Sequence, residues 1–146
     1  MVVCAGDHDH VIRDDHKYHI GIGGTGALIT HERGIKPSLH FHFVRQLGEN
    51  RTWGVGLGYE SILEKQLHQG VYILLNYHLF ENLVVNIAPC FTFGKHNSES
   101  EINPAAHLEA VYEIEAGLFH FGPMLGFGID PGDAHFSAGL HIGFGF

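Results

Sequence analysis

The last twelve residues alternate without a break. Phe136, Ala138, Leu140, Ile142, Phe144 and Phe146 are all apolar, while His135, Ser137, Gly139, His141, Gly143 and Gly145 lie between them. A helix would mix these two sets around its circumference. An extended strand separates them, because its side chains point alternately to opposite faces. The preceding run repeats the scheme, with Phe119, Phe121, Pro123, Leu125, Phe127 and Ile129 against His120, Gly122, Met124, Gly126, Gly128 and Asp130. Before it, Ala106, Leu108, Ala110, Tyr112 and Ile114 oppose His107, Glu109, Val111, Glu113 and Glu115. Looser alternation starts at Tyr18, Leu39, Trp53, Val71 and Leu83. Eight strands are therefore expected after Lys17, each of roughly 9–13 residues, close to what a tilted strand needs to cross a bilayer.

Parity alone does not say which face is inside. A soluble lipocalin-like barrel would bury the phenylalanine and leucine face and show glycine, histidine and glutamate to water. Glycine weakens a strand, and water-facing strands ordinarily carry lysine and threonine. This chain has 20 Gly and 14 His, with only 8 Lys+Arg against 16 Asp+Glu. The inverted arrangement suits these residues better. Lipid takes the apolar face, and the narrow lumen of an eight-stranded barrel is filled by glycine interleaved with a few large polar groups. The expected fold class is all-β, an eight-stranded antiparallel up-and-down transmembrane β-barrel over residues 17–146. Aromatic residues agree: Tyr18, Phe43, Trp53, Tyr77, Phe119, Phe144 and Phe146 fall near one rim. Tyr59, Phe91, Phe93, Phe127 and Phe136 fall near the other, as interfacial girdles do.

Tight turns are expected after Leu47, after Leu79 and near Gly117. Longer connections are expected at Glu64–Gly70 and Lys95–Pro104, on the opposite side. Pro89 and Pro123 interrupt strands 5 and 7 and should each produce a bulge or local irregularity, since proline donates no ladder hydrogen bond.

A chain ending in Phe146 after Leu140, Ile142 and Phe144 resembles the C-terminal assembly signal of bacterial outer-membrane β-barrels. Residues 17–146 resemble the small eight-stranded barrels of the OmpA/OmpX or OmpW type. This resemblance implies a Gram-negative outer membrane, a Sec signal peptide, insertion by the barrel-assembly machinery, and outer-membrane lipids as the surroundings. It implies no particular activity, because the superfold hosts several.

The inward parity collects His19, His40, His42, His78, His107, His120, His135 and His141, with Glu60, Glu109, Glu113 and Glu115. Strand order brings His141, His19 and His40 or His42 together, and sets Glu113 and Glu115 near His120. Neutral imidazole with carboxylate suits Zn²⁺ and other divalent first-row ions. The expected metal set is His19, His40, His42, His78, His120, His141, Glu113 and Glu115. A hydrogen-bonded plug without metal uses the same residues, and a barrel known only by its surface loops is a third reading. No cofactor is required by any of them. His135-Phe-Ser137 resembles the H-x-S element of outer-membrane lipid A deacylases, but parity turns both residues inward, where that family turns them to lipid. Gly21-Ile-Gly-Gly-Thr-Gly26 echoes a dinucleotide fingerprint without the helix that such a site needs. The chain is thus expected to be non-catalytic.

The first sixteen residues read differently. Met1–Gly6 looks like the end of a signal peptide, and Asp7-His-Asp-His10 opens an acidic tail in which His8, His10 and His16 form a weak metal-binding tract. A net charge of −8 argues against nucleic-acid partners, and a monomer is expected. Cys90 is expected as a buried free thiol.

Overall fold

A computed structural model of the chain describes residues 16–31, 33–63, 68–96 and 99–146. They form nine β segments: β1 Tyr18–Ile29, β2 Ile35–Leu47, β3 Trp53–Ile62, β4 His68–Phe80, β5 Leu83–His96, β6 Glu99–Tyr112, β7 Ile114–Ala116, β8 Phe119–Ile129 and β9 Ala134–Gly145. Segments β1 to β6 pair in sequence order, β9 closes onto β1, and β8 joins β9 to both β6 and β7. The last two are pieces of one strand, so the sheet is a closed antiparallel barrel of eight. Its seam is completed by Tyr18 N–H donating to Phe146 O, and Phe146 N–H donating to Tyr18 O, both at 2.9 Å. Closure leaves no edge along the wall, which lipid demands because it offers no hydrogen bonds.

The apolar set is the exposed one. Leu57, Leu125 and Leu140 are each about two-thirds exposed, whereas His40, His42, His120 and His141 are buried. The histidine and glycine face is therefore the lumen. Aromatic rings pair across strands at both rims: Trp53 with Tyr77 at 4.3 Å between centroids, Phe119 with Phe144 at 5.2 Å, and Phe127 with Phe136 at 4.9 Å. The first two pairs lie at the end that carries the chain termini.

Turn chemistry explains that end. Gly117 has φ +68° at the first position of a two-residue turn, and Gly48 has φ +76° directly after β2. Both conformations are open to glycine at little steric cost. Glu81 and Asn82 connect β4 to β5 without a positive φ, and the register shifts by one residue between His78 and Phe80.

The far end differs from expectation. Lys95–Pro104 is not a loop: β5 runs to His96 and β6 starts at Glu99, with Phe93 opposite Ile102 and Lys95 opposite Ser100. Polarity there marks a hairpin that outruns the apolar belt, and backbone pairing continues regardless. Likewise β4 begins at His68, inside the expected Glu64–Gly70 connection. The β6 strand pairs with β8 only from Ala106, so the hairpin stands clear of its neighbour on that side.

Both prolines leave their mark. Pairing of β4 with β5 lapses between Tyr72–Cys90 and Leu75–Ile87, where Pro89 faces β4, although the register is kept. The ladder with β8 lapses between Val111–Met124 and Ile114–Phe121, a gap in which Pro123 falls opposite Tyr112 and Glu113 divides β6 from β7. If the exposed face meets lipid, Leu57→Arg should destabilise the barrel in vesicles by about 2–4 kcal/mol, as expected for a charge near the bilayer midplane. Equilibrium urea unfolding of the vesicle-inserted protein measures this, and an unchanged midpoint would mean that Leu57 faces water.

Candidate functional site

The lumen is built from rows in which glycine is interspersed with large polar side chains. One row runs Glu60, His40, Gly23, His141, Gly122 across β3, β2, β1, β9 and β8. The next, one step nearer the termini, runs Gly58, His42, Gly21, Gly143, His120, Glu115. A methyl group at Gly21 would overlap His42 and His141, one at Gly23 would overlap His40, and one at Gly143 would overlap His120. Each imidazole thus lies in the space that a neighbouring glycine vacates.

This packing gathers most of the expected histidines into one column. His42 and His141 stack at 5.1 Å between centroids, His40 and His141 at 5.6 Å, and His120 and His141 at 5.5 Å. His19 adjoins His120 at 5.3 Å, and His16 meets His19 edge-on at 6.1 Å, near the termini. Within the column, His40 Nε2 lies 3.4 Å from His141 Nδ1. Glu113 Oε1 lies 3.4 Å from His120 Nε2. One potential ligand atom from each of His40, His42 and His141 falls within 4.8 Å of the others, and the same holds for Glu113, His120 and His141. Among the described residues, His42 Nδ1 is buried without a hydrogen-bond partner. A buried imidazole nitrogen left without a partner is uncommon and suits a ligand position.

Two expected members lie elsewhere. Glu115 stands opposite His120 in register but is exposed at the rim. Its parity is right, but β7 ends one residue later and the short wall there leaves it in the open. His78 joins a chain of amides instead. Gln46 Nε2 contacts His78 Nε2 at 3.1 Å and donates to Asn76 Oδ1 at 3.0 Å. Asn76 Nδ2 donates to Asn86 Oδ1 at 2.8 Å, and Asn86 Nδ2 to Glu109 Oε1 at 2.9 Å. The role of Gln46, Asn76 and Asn86 was missed in the sequence, where their inward parity was the available signal. His8 and His10 lie outside the described residues.

A third group occupies the far half of the lumen. His107 Nδ1 is 2.9 Å from Glu60 Oε2, and Ser38 Oγ donates to Glu60 Oε1 at 3.0 Å. His135 packs against His107 at 4.9 Å between centroids. Between this group and the column is a cavity of about 20 Å³, lined by His40, Glu60, His107, Glu109, Met124 and Ser137 among others. It has room for one water molecule. His135 is buried and Ser137 half-buried, both inside the barrel, so the lipid-facing pair of the deacylase resemblance is not reproduced. Cys90 is a buried free thiol.

The glycine rows can be tested directly. Gly143→Ala should destabilise the barrel by about 1–3 kcal/mol, the usual cost of overpacking. Adding His120→Ala should restore most of that loss, since the three atoms nearest such a methyl all belong to the His120 ring. Urea midpoints of the single and double variants decide it, and equal midpoints for wild type and Gly143→Ala would count against the packing.

No protein family matches the sequence, and no curated protein does so either. Solved structures do resemble it. The N-terminal β-barrel domain of Pseudomonas aeruginosa OprF superposes with a TM-score of 0.66 at 14% identity, over 88% of this chain and 97% of that one. Neisserial surface protein A gives 0.61 at 4% identity, over 88% and 96%. The attachment invasion locus protein Ail of Yersinia pestis gives 0.57 at 10% identity, over 90% and 99%. The chain therefore has the fold of the small eight-stranded transmembrane barrels found in bacterial outer membranes.

Proposed function

We propose that this chain is a monomeric, non-catalytic outer-membrane barrel that holds a divalent transition-metal ion in the half of its lumen nearest the termini. Zn²⁺ is the fitting ion, since neutral imidazoles and a carboxylate are borderline ligands. The observation that carries this reading is the convergence of His40, His42 and His141. His120 and Glu113 stand beside them as alternative or additional ligands. The unpartnered His42 Nδ1 and the glycine cradle at Gly21 and Gly23 support it further. The apolar belt and rim aromatics fit a protein surrounded by outer-membrane lipid and inserted by the barrel-assembly machinery.

Capture fits the geometry better than passage. His141 is 1% exposed, and among the described residues the rings of His40, His42 and His120 pack directly against it. A second reading, a purely structural plug, is favoured by the chain from His78 to Glu109, which joins its side chains to one another without a metal. The two readings part at His42. Surface recognition by long loops has less support, because the described connections at the far end are short.

Equilibrium dialysis of the folded, detergent-solubilised barrel against Zn²⁺ separates the readings. His42→Ala combined with His141→Ala should lower the bound stoichiometry by one ion per chain while the barrel stays folded. An unchanged stoichiometry in the folded double variant would leave the structural plug.

A further inference from the structure

We propose a second divalent-metal site in the opposite half of the lumen, formed by Glu60, His107 and His135. It shares no residue with the site nearest the termini and does not depend on that reading. One potential ligand atom from each of the three residues lies within 4.8 Å of the others. Tetrahedral coordination with bonds of about 2.0–2.1 Å needs ligand atoms about 3.4 Å apart, so modest ring rotations complete the set. Two imidazoles and one carboxylate, with a fourth position left for water, is a familiar donor set for Zn²⁺.

Three features make this more than a chance meeting of polar groups. Gly128 is opposite both His107 and His135 in register, and a methyl there would overlap Nε2 of both rings. The backbone thus clears a space into which two imidazole nitrogens converge. Glu60 is fixed by its bond from Ser38, the outer-shell support that metal-binding carboxylates use. The water-sized cavity touches both Glu60 and His107, so a fourth ligand has somewhere to sit.

Access differs from the other half as well. The side chains of His107 and Glu60 retain 17% and 12% of their exposure, against 1% for the whole of His141. Towards the far mouth, His68 stands 6.5 Å from His135 between centroids, and its Nε2 is 4.0 Å from Asp130 Oδ2. The other Asp130 oxygen accepts from Gly132 N–H and Asp133 N–H, which holds the carboxylate in place at the entrance. An incoming cation meets Asp130 and His68 first and Glu60 last. The chemistry points to loading from the far mouth with the free hydrated ion.

The test uses the full folded chain in detergent micelles with Zn²⁺ as the only added metal. Equilibrium dialysis should find one ion fewer per chain in Glu60→Gln combined with His135→Ala than in wild type. That loss should also appear in a background of His42→Ala and His141→Ala, which keeps the two sites distinguishable. Should the Glu60 and His135 variant not fold, the wild-type protein labelled with ¹⁵N at histidine gives the answer. Zn²⁺ should then shift the imidazole resonances of His107 and His135. Undiminished binding in the folded variant, or unmoved His107 and His135 resonances, would overturn the proposal.

Discussion

An eight-stranded barrel is barely one side chain deep on any radius, so an inward imidazole packs best where a neighbouring strand presents glycine. The histidine column follows from that exclusion. Gly21, Gly23, Gly128 and Gly143 are the vacancies, and His42, His40, His135 and His120 are the groups that fill them. The register that pairs them is the same register that puts phenylalanine, leucine and isoleucine on the outside. A slip of one residue would send every histidine into lipid and every phenylalanine into the lumen, so packing inside and solvation outside fix one pairing together.

The filled interior then divides by chemistry. Amides from β2, β4 and β5 link His78 to Glu109 through hydrogen bonds and brace one side of the wall. Imidazoles from β1, β2, β8 and β9 pack ring against ring on the other side. Amides find donors and acceptors in one another. Imidazoles in contact compete for the same few protons, and an added cation would give their lone pairs a common partner. That contrast is the ground for the metal reading proposed for the histidine column.

Much of this was legible in the sequence because period 2 is a one-dimensional signal. The faultless alternation from His135 to Phe146 fixes a strand and its two faces, and the scarcity of lysine fixes which face meets lipid. Adjacency around the barrel was also readable for His19, His40, His42 and His141, which lie on the neighbouring strands β1, β2 and β9, and for Glu113 beside His120. Contacts across the lumen were not. Glu60 on β3 meets His107 on β6 only because the closed sheet curves back on itself, and no local spacing encodes that curvature. The hairpin at Lys95–Pro104 was misread for a different reason: polar side chains report solvent, and backbone pairing does not need lipid. His78 had the expected parity and height, but Gln46 claimed it first.

The central claim is that glycine vacancies position the lumenal histidines. Nuclear Overhauser spectroscopy of the folded protein in micelles or nanodiscs tests it without a substitution. The account predicts contacts from the Gly143 α-protons to the His120 ring and from the Gly21 α-protons to the His42 ring, with those glycine protons displaced by ring currents. Gly143 and Gly21 α-protons at ordinary strand positions, without contacts to either imidazole, would contradict it.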